Sequence, residues 1–145
     1  SAGVRDDQTN SNSESVQIFK DLISSGTPSI MTATAIYDKI DPNLPGAFSS
    51  KMVDGLLRKQ LGFDGLVITD DLSNAVQVQS WTPGQRAVLA LSAGNDLVLA
   101  NEPTQIPEMI SEVLQKVKAD PDFAKKISQS ATRVIKVKEE MKLVE

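Results

Sequence analysis

Apolar positions along this chain switch repeatedly between helical and strand spacing. From Ser15, Val16, Phe19 and Ile23 recur at helical intervals with Ile18 and Leu22 beside them, and Gly26 stands just past the end. Ser29–Thr34 (SIMTAT), set off by Pro28, is a short run that favours a strand. A loop with Pro42, Pro45 and Gly46 follows. Ser49 or Ser50 is then placed to cap a helix whose apolar stripe is Met52, Val53, Leu56, Leu57 and Leu61, closed by Gly62. Gly65–Asp71 (GLVITDD) is the most strand-like segment of the chain. Beyond a loop with Trp81 and Pro83, a helix holding Val88, Leu89 and Leu91 stops at Gly94, and Asp96–Ala100 (DLVLA) is a third apolar strand. Two amphipathic helices complete the chain, one marked by Ile106, Met109, Ile110, Val113, Leu114 and Val117. The other is marked by Ile127, Ala131, Val134, Ile135 and Met141, and Pro121 between them suits an early helical position. Residues 1–14 carry only Ala2 and Val4 as apolar positions and read as a mobile loop or tail, too polar to bury surface.

Strands alternating with helices predict an α/β fold with a parallel sheet, because parallel neighbours need a crossover connection. Three nearly continuous apolar strands fit a sheet covered by helices, though three strands make a short one.

Composition narrows the chemistry. The 145 residues amount to about one domain, and 40% of them are hydrophobic. The net charge of −4 argues against a nucleic-acid partner, which needs a basic face. No apolar run approaches the length of a membrane span. Cysteine and histidine are both absent, which removes thiolate nucleophiles, Ser-His-Asp triads, imidazole proton shuttles and the usual zinc ligands. No calcium-loop or phosphate-loop motif occurs, and no metal or cofactor is expected. Acid–base or nucleophilic work must therefore fall to carboxylates.

The strand Gly65–Asp71 ends in two adjacent acids, and strand alternation puts Leu66, Ile68 and Asp70 on one side and Val67, Thr69 and Asp71 on the other. The two aspartates cannot share a role. The C-terminal edge of a parallel sheet is where α/β folds bind ligands, although aspartate is also common in turns and at helix caps. Asp38, Asp41, Asp64 and Asp96 read as turn residues, Asp6 and Asp7 as solvated, and Trp81 as a packing anchor or a platform for an apolar ligand face.

Leu56–Leu72 (LLRKQLGFDGLVITDDL) resembles the signature of glycoside hydrolase family 3, in its β-N-acetylhexosaminidase-like branch. Ser29–Met52, with Ile40-Asp41-Pro42 and Ala47-Phe48-Ser49, resembles the preceding strand and loop, and Ala87–Leu99 the following helix and strand. Ser73–Pro83 and Asp120–Phe123 look most like actinobacterial members. The resemblance implies the C-terminal part of a TIM (β/α)8 barrel, about three βα units plus terminal helices, occupying residues 15–145. A complete barrel needs about 250 residues and eight strands. It also implies a retaining exo-β-glycosidase, acting on terminal β-linked sugars through a glycosyl-enzyme intermediate on Asp70, the nucleophile, with Asp71 supporting it.

Thr34 stands where many members carry a histidine, and Thr34 and Trp81 are the candidate sugar contacts. The family's acid/base, in an Asp-x-His loop, would lie upstream of Ser1, so the fragment alone is expected to be inactive. The implied partners are a β-linked carbohydrate substrate, with N-acetylglucosamine-containing sugars among the options and the sugar left open, and the missing N-terminal part of the barrel or a second copy. The likeness to actinobacterial members favours an exported or cell-surface parent. The rival reading is a non-catalytic carbohydrate-binding or structural barrel domain that has lost its acid/base machinery. A phosphoacceptor receiver domain fits poorly, because its acid pair closes the first strand and a later strand ends in lysine.

Overall fold

The computed structural model describes residues 4–144. Three strands, β2 (Ser29–Thr32), β5 (Leu66–Asp71) and β6 (Leu97–Leu99), form a parallel sheet in that spatial order, with β5 in the centre. These are the three strands that the apolar runs predict. Ile30 pairs with Val67 and Thr32 with Thr69, so all four lie on one face, which the helices cover. Met31 pairs with Ile68, and Ile68 with Leu97, on the opposite face; Met31 is exposed there and the other two are half-buried.

The helices follow the sequence pattern closely. Helix α1 (Glu14–Ser24) precedes β2, and α2 (Pro83–Ala93) precedes β6. A capping box starts α2: the Thr82 hydroxyl accepts from the Gln85 amide while the Gln85 side chain accepts from the Thr82 amide. Gly94 ends it at φ +111°, a backbone conformation suited to glycine. Helix α3 (Ile106–Ala119) packs on α2, and α4 (Pro121–Glu140) starts at Pro121 under the Asp120 cap. The α2–α3 contact is close because residue 84 is glycine, where a Cβ would fall 2.7 Å from the Cβ of Glu112.

Two apolar clusters fill the space between sheet and helices. Ile30, Val53, Leu57, Phe63, Val67 and Ala93 form one. Ala47, Phe48, Leu72, Val78, Ala87, Ala90 and Met109 form the other, at the C-terminal end of β5.

Three features depart from the sequence reading. Lys51–Gln60 is a π-helix, with hydrogen bonds from residue i to i+5 such as Leu61 N–H to Leu56 C=O at 2.9 Å. Of the two serines expected to cap it, Ser50 stands at the N-cap and makes no side-chain cap bond, while the Ser49 Oγ, one residue earlier, accepts from the Met52 amide at 3.3 Å. The loop of residues 33–48 contains strands β3 (Ile36–Tyr37) and β4 (Asp41–Pro45), and the latter tolerates Pro42 and Pro45 because it lies at a sheet edge. The described part of the polar opening is not a structureless tail. Arg5–Asp6 forms β1, paired in parallel with β3, and Asp6 accepts from the amides of Gln8 and Thr9 and from the Thr9 hydroxyl. Arg5 forms an ion pair with Asp38, which secures the small sheet β1-β3-β4.

Candidate active site

The site begins with how β5 ends. Ile68 pairs with Leu97 but Asp71 with Leu99, so β5 carries one extra residue across this interval. The Thr69 hydroxyl fills the irregularity by accepting from the Leu99 amide at 3.0 Å, and the Leu72 amide donates to the Leu99 carbonyl at 3.0 Å. Such a bulge re-aims the side chains beside it.

Asp70 lies inside this irregular interval and is half-buried, as is Asp71. Its Oδ1 accepts from the Asp71 amide at 2.8 Å, while Oδ2 has no hydrogen-bond partner among the described residues. One oxygen is therefore held by the neighbouring amide and the other is not. The Asp71 carboxylate is fully engaged: Oδ1 accepts from the amides of Ser73 and Asn101, both at 3.0 Å, and Oδ2 from Asn74 at 3.2 Å. Partial burial pushes the Asp71 carboxyl up, but the amides of Ser73, Asn101 and Asn74 outweigh it and hold the group below its ordinary range. The tandem acids thus divide into one with a free oxygen and one that binds two loops together.

Around them, the side chains of Asn74 and Asn101 meet at 3.0 Å, and the Ser73 hydroxyl accepts from the Glu102 amide. Beneath the loop lies Arg86, buried and donating to its carbonyls. Burial pulls the Arg86 pKa down, and the negative charges of Glu108 and Asp71 pull it back. The sequence pattern gave no signal for Arg86, which sits among the apolar positions of α2.

The candidate sugar contacts fall in different surroundings. Thr34 lies two residues beyond the Thr32–Thr69 pair, at the same end of the sheet as Asp70, and is buried. The carbonyls of Ala33 and Ala35 on either side of it accept from the amides of Ala47 and Gly46. Trp81 is half-buried, in a T-shaped contact with Phe48 with ring centroids 5.3 Å apart, and borders a groove of about 410 Å³ between α2 and α3. A second cavity, of about 370 Å³ and largely apolar, lies among α1, β2 and the π-helix and is bordered by Asp6 and Tyr37. Burial, and then the negative charge of Asp6, raise the Tyr37 hydroxyl above its ordinary pKa. Among the described residues no three histidine, cysteine, aspartate or glutamate side chains come together as a metal site. None of the described helices is long and apolar enough to cross a membrane.

The sequence model of the Glycosyl hydrolase family 3 N terminal domain matches residues 2–137. The chain belongs to glycosyl hydrolase family 3. It is 38% identical over 108 residues to a protein of Methylobacillus flagellatus named beta-hexosaminidase, a match covering 74% of this chain and 31% of that relative. The crystal structure of the beta-N-acetylhexosaminidase from Beutenbergia cavernae superposes with a TM-score of 0.92 at 48% identity, covering 96% of this chain and 41% of that one. A family 3 beta-N-acetylglucosaminidase from a Paenibacillus species is 29% identical with a TM-score of 0.77, covering 83% of this chain and 23% of that one. The chain therefore spans about a third of the length of the curated relatives it matches.

Proposed function

We propose that these 145 residues supply the last three strands of a (β/α)8 barrel, from residue 15 onward. The intact protein would be a retaining exo-β-glycosidase, most closely a β-N-acetylhexosaminidase, with Asp70 as its nucleophile. The observation that carries this reading is the Asp70 carboxylate at the C-terminal end of the central parallel strand, with Oδ2 free of hydrogen bonds among the described residues. The names of the relatives support the substrate class.

The chemistry follows from that carboxylate. A free oxygen of Asp70 attacks the anomeric carbon while the glycosidic C–O bond breaks and the departing oxygen takes a proton from a second group. In the second half, that group removes a proton from water, the water oxygen attacks the same carbon, and the bond to Asp70 breaks. Two inversions return the original anomeric configuration. The proton-transfer group belongs to a part of the protein upstream of Ser1, so the 145-residue chain by itself does not turn over glycosides. Asp71 supports the nucleophile by fixing the backbone that follows it. Trp81 and Thr34 are the sugar contacts assigned to this chain, and the barrel's remaining strands, or a second copy, are its protein partner.

The test uses the full-length protein that carries these residues. Asp70→Ala should lower turnover of an aryl β-N-acetylglucosaminide by about 10⁴-fold, the scale typical of a lost nucleophile, with an unchanged circular dichroism spectrum. A mechanism-based fluorinated glycoside should label Asp70. Retained turnover, or a label on another residue, would rule the assignment out, and a folded wild-type protein without any hydrolysis would favour a non-catalytic barrel.

A further inference from the structure

Arg86 lies in the first turns of α2 and is only 4% exposed. It has no salt bridge among the described residues. All but one of its guanidinium hydrogen bonds go to one loop. Nε donates to the carbonyls of Val78 at 3.0 Å and Trp81 at 2.8 Å. Nη1 donates to the carbonyls of Leu72 at 3.0 Å and Ser73 at 2.9 Å, with a longer contact to Gln105 Oε1 at 3.4 Å. Nη2 donates to Gln79 Oε1 at 3.0 Å, and the Gln79 amide in turn donates to the carbonyls of Ser73 and Ala75.

The placement of these bonds matters. Leu72 and Ser73 are the second and third residues after Asp70, and the only regular structure between β5 and α2 is the single turn Val76–Val78. Buried carbonyls without a ladder need other donors. A guanidinium is the one side chain with five donors in a rigid fork, which lysine cannot reproduce. Asp71 holds the same loop from the other side by accepting its amides. A buried cation thus takes the loop's carbonyls and an anion takes its N–H groups.

We propose that Arg86 is a positioning residue for the glycosyl transfer: by holding the carbonyls of Leu72 and Ser73 it fixes the backbone immediately after Asp70, and with it the aim of the Asp70 carboxylate. This rests on the assignment of Asp70 as nucleophile. Attack requires reacting atoms aligned within a narrow range, and a misplacement of about 1 Å can lower a rate by about 10²-fold. Loss of a residue acting in this way lowers the rate of glycosyl transfer without weakening sugar binding.

The experiment measures labelling of Asp70 by a fluorinated glycosyl inactivator in the full-length protein, yielding a maximal rate constant and a half-saturation concentration, beside kcat and KM for an aryl glycoside. Arg86→Lys keeps the charge but not the fork. It should lower kcat and the maximal labelling rate by about 10–100-fold, with KM and half-saturation within about two-fold, in samples whose unfolding midpoint shows them fully folded. Gln79 is exposed; Gln79→Leu removes one acceptor of Arg86 together with Gln79's own bonds to the Ser73 and Ala75 carbonyls, and should produce a smaller fall in the same two constants. Wild-type rate constants in both variants, or a fall that only tracks the unfolded fraction, would overturn the positioning role. If Asp70→Ala is inactive while both variants keep wild-type rates, only this inference falls. If Asp70→Ala retains full turnover, the nucleophile assignment falls and takes the inference with it.

Discussion

Arg58 and Asp96 are joined inside the protein, Nη2 to Oδ2 at 2.6 Å, with the Asp96 side chain wholly buried. Arg133 of α4 donates to Asp96 Oδ1 at 3.0 Å, and the Val67 amide of β5 donates to Oδ2 at 2.9 Å. Arg58 also donates to the carbonyls of Phe63 and Gly65, and its guanidinium lies 5.6 Å from the centroid of the Phe63 ring. One carboxylate therefore ties together the end of the π-helix, the turn into β5, the start of β6 and the C-terminal helix.

Removing one partner of a buried ion pair leaves an uncompensated charge and typically costs about 3–5 kcal/mol. Asp96→Ala should destabilise by that amount, since Arg58 would keep its buried position without an anion. Arg133→Ala should cost about 1 kcal/mol, because Arg133 is partly exposed and solvent screens its charge. Urea unfolding monitored by circular dichroism measures both. Equal effects at the two positions would show that the buried carboxylate has no special role.

Asp71 gives the protein an acid sensitivity of predictable sign. Its carboxyl lies below the unfolded value of 3.8, so the unfolded chain binds its proton more readily. The associated stability is complete above pH 3.8 and disappears as pH falls through the lower, folded-state value. Asp6 and Asp120 shift in the same direction, Asp6 first through the Thr9 hydroxyl and Asp120 first through Lys116. Asp71→Asn should therefore be less stable than wild type at pH 7 and approach it near pH 2. Unfolding curves across that range measure the convergence. A constant gap at every pH would mean that the carboxylate's charge contributes nothing.

The sequence made the sheet legible and left the charged interior out of sight. Ser29–Thr34, Gly65–Asp71 and Asp96–Ala100 announce the strands because each is a short apolar run bounded by proline, glycine or aspartate. Alternation puts Asp70 with Leu66 and Ile68, but the register shift between Ile68 and Asp71 leaves no mark in the sequence. Asp96, by contrast, reads as a turn residue after Gly94-Asn95, because its partners lie 38 positions upstream and 37 downstream and no local pattern joins them. Asp41 reads as a turn residue for the same reason, yet it is buried and accepts from the Ser49 hydroxyl at 2.7 Å. Apolar spacing does not separate a π-helix from an α-helix over ten residues, and β1 and β3 are too short to leave an alternation. Arg86 was hidden because a charged residue in a helix ordinarily faces water, and only the fold supplies the carbonyls that it meets.

Trp81 supports the second apolar cluster through its edge-on contact with Phe48. Trp81→Ala should cost about 3 kcal/mol, as expected for a large side chain removed from partly buried packing. Trp81→Phe keeps an aromatic edge against Phe48 and should recover most of that loss. In the full-length protein, a raised KM in Trp81→Phe at near wild-type stability would identify the ring as a sugar contact as well. An unchanged KM would confine Trp81 to packing.

Among the described residues, neither edge of the main sheet is paired with a further strand. Within this sheet β2 and β6 each pair only with β5. Beside β2, Met31 is 54% exposed and α1 presents Ile18, Phe19 and Leu22 to solvent. Unpaired edges flanked by exposed apolar side chains are templates for further strand pairing, and small exposed faces of this kind are covered in the barrel proposed above. The 145-residue chain in isolation should therefore associate, eluting from gel filtration ahead of a 15.6 kDa monomer and shifting with concentration. A charge placed on the exposed side of the edge strand, Met31→Lys, should reduce the association, because lysine on an edge opposes strand addition. Co-expression with the preceding segment of the parent protein should replace self-association with a one-to-one complex. A concentration-independent monomer of the isolated chain would show instead that these edges are stable in water, and the need for a partner would fall.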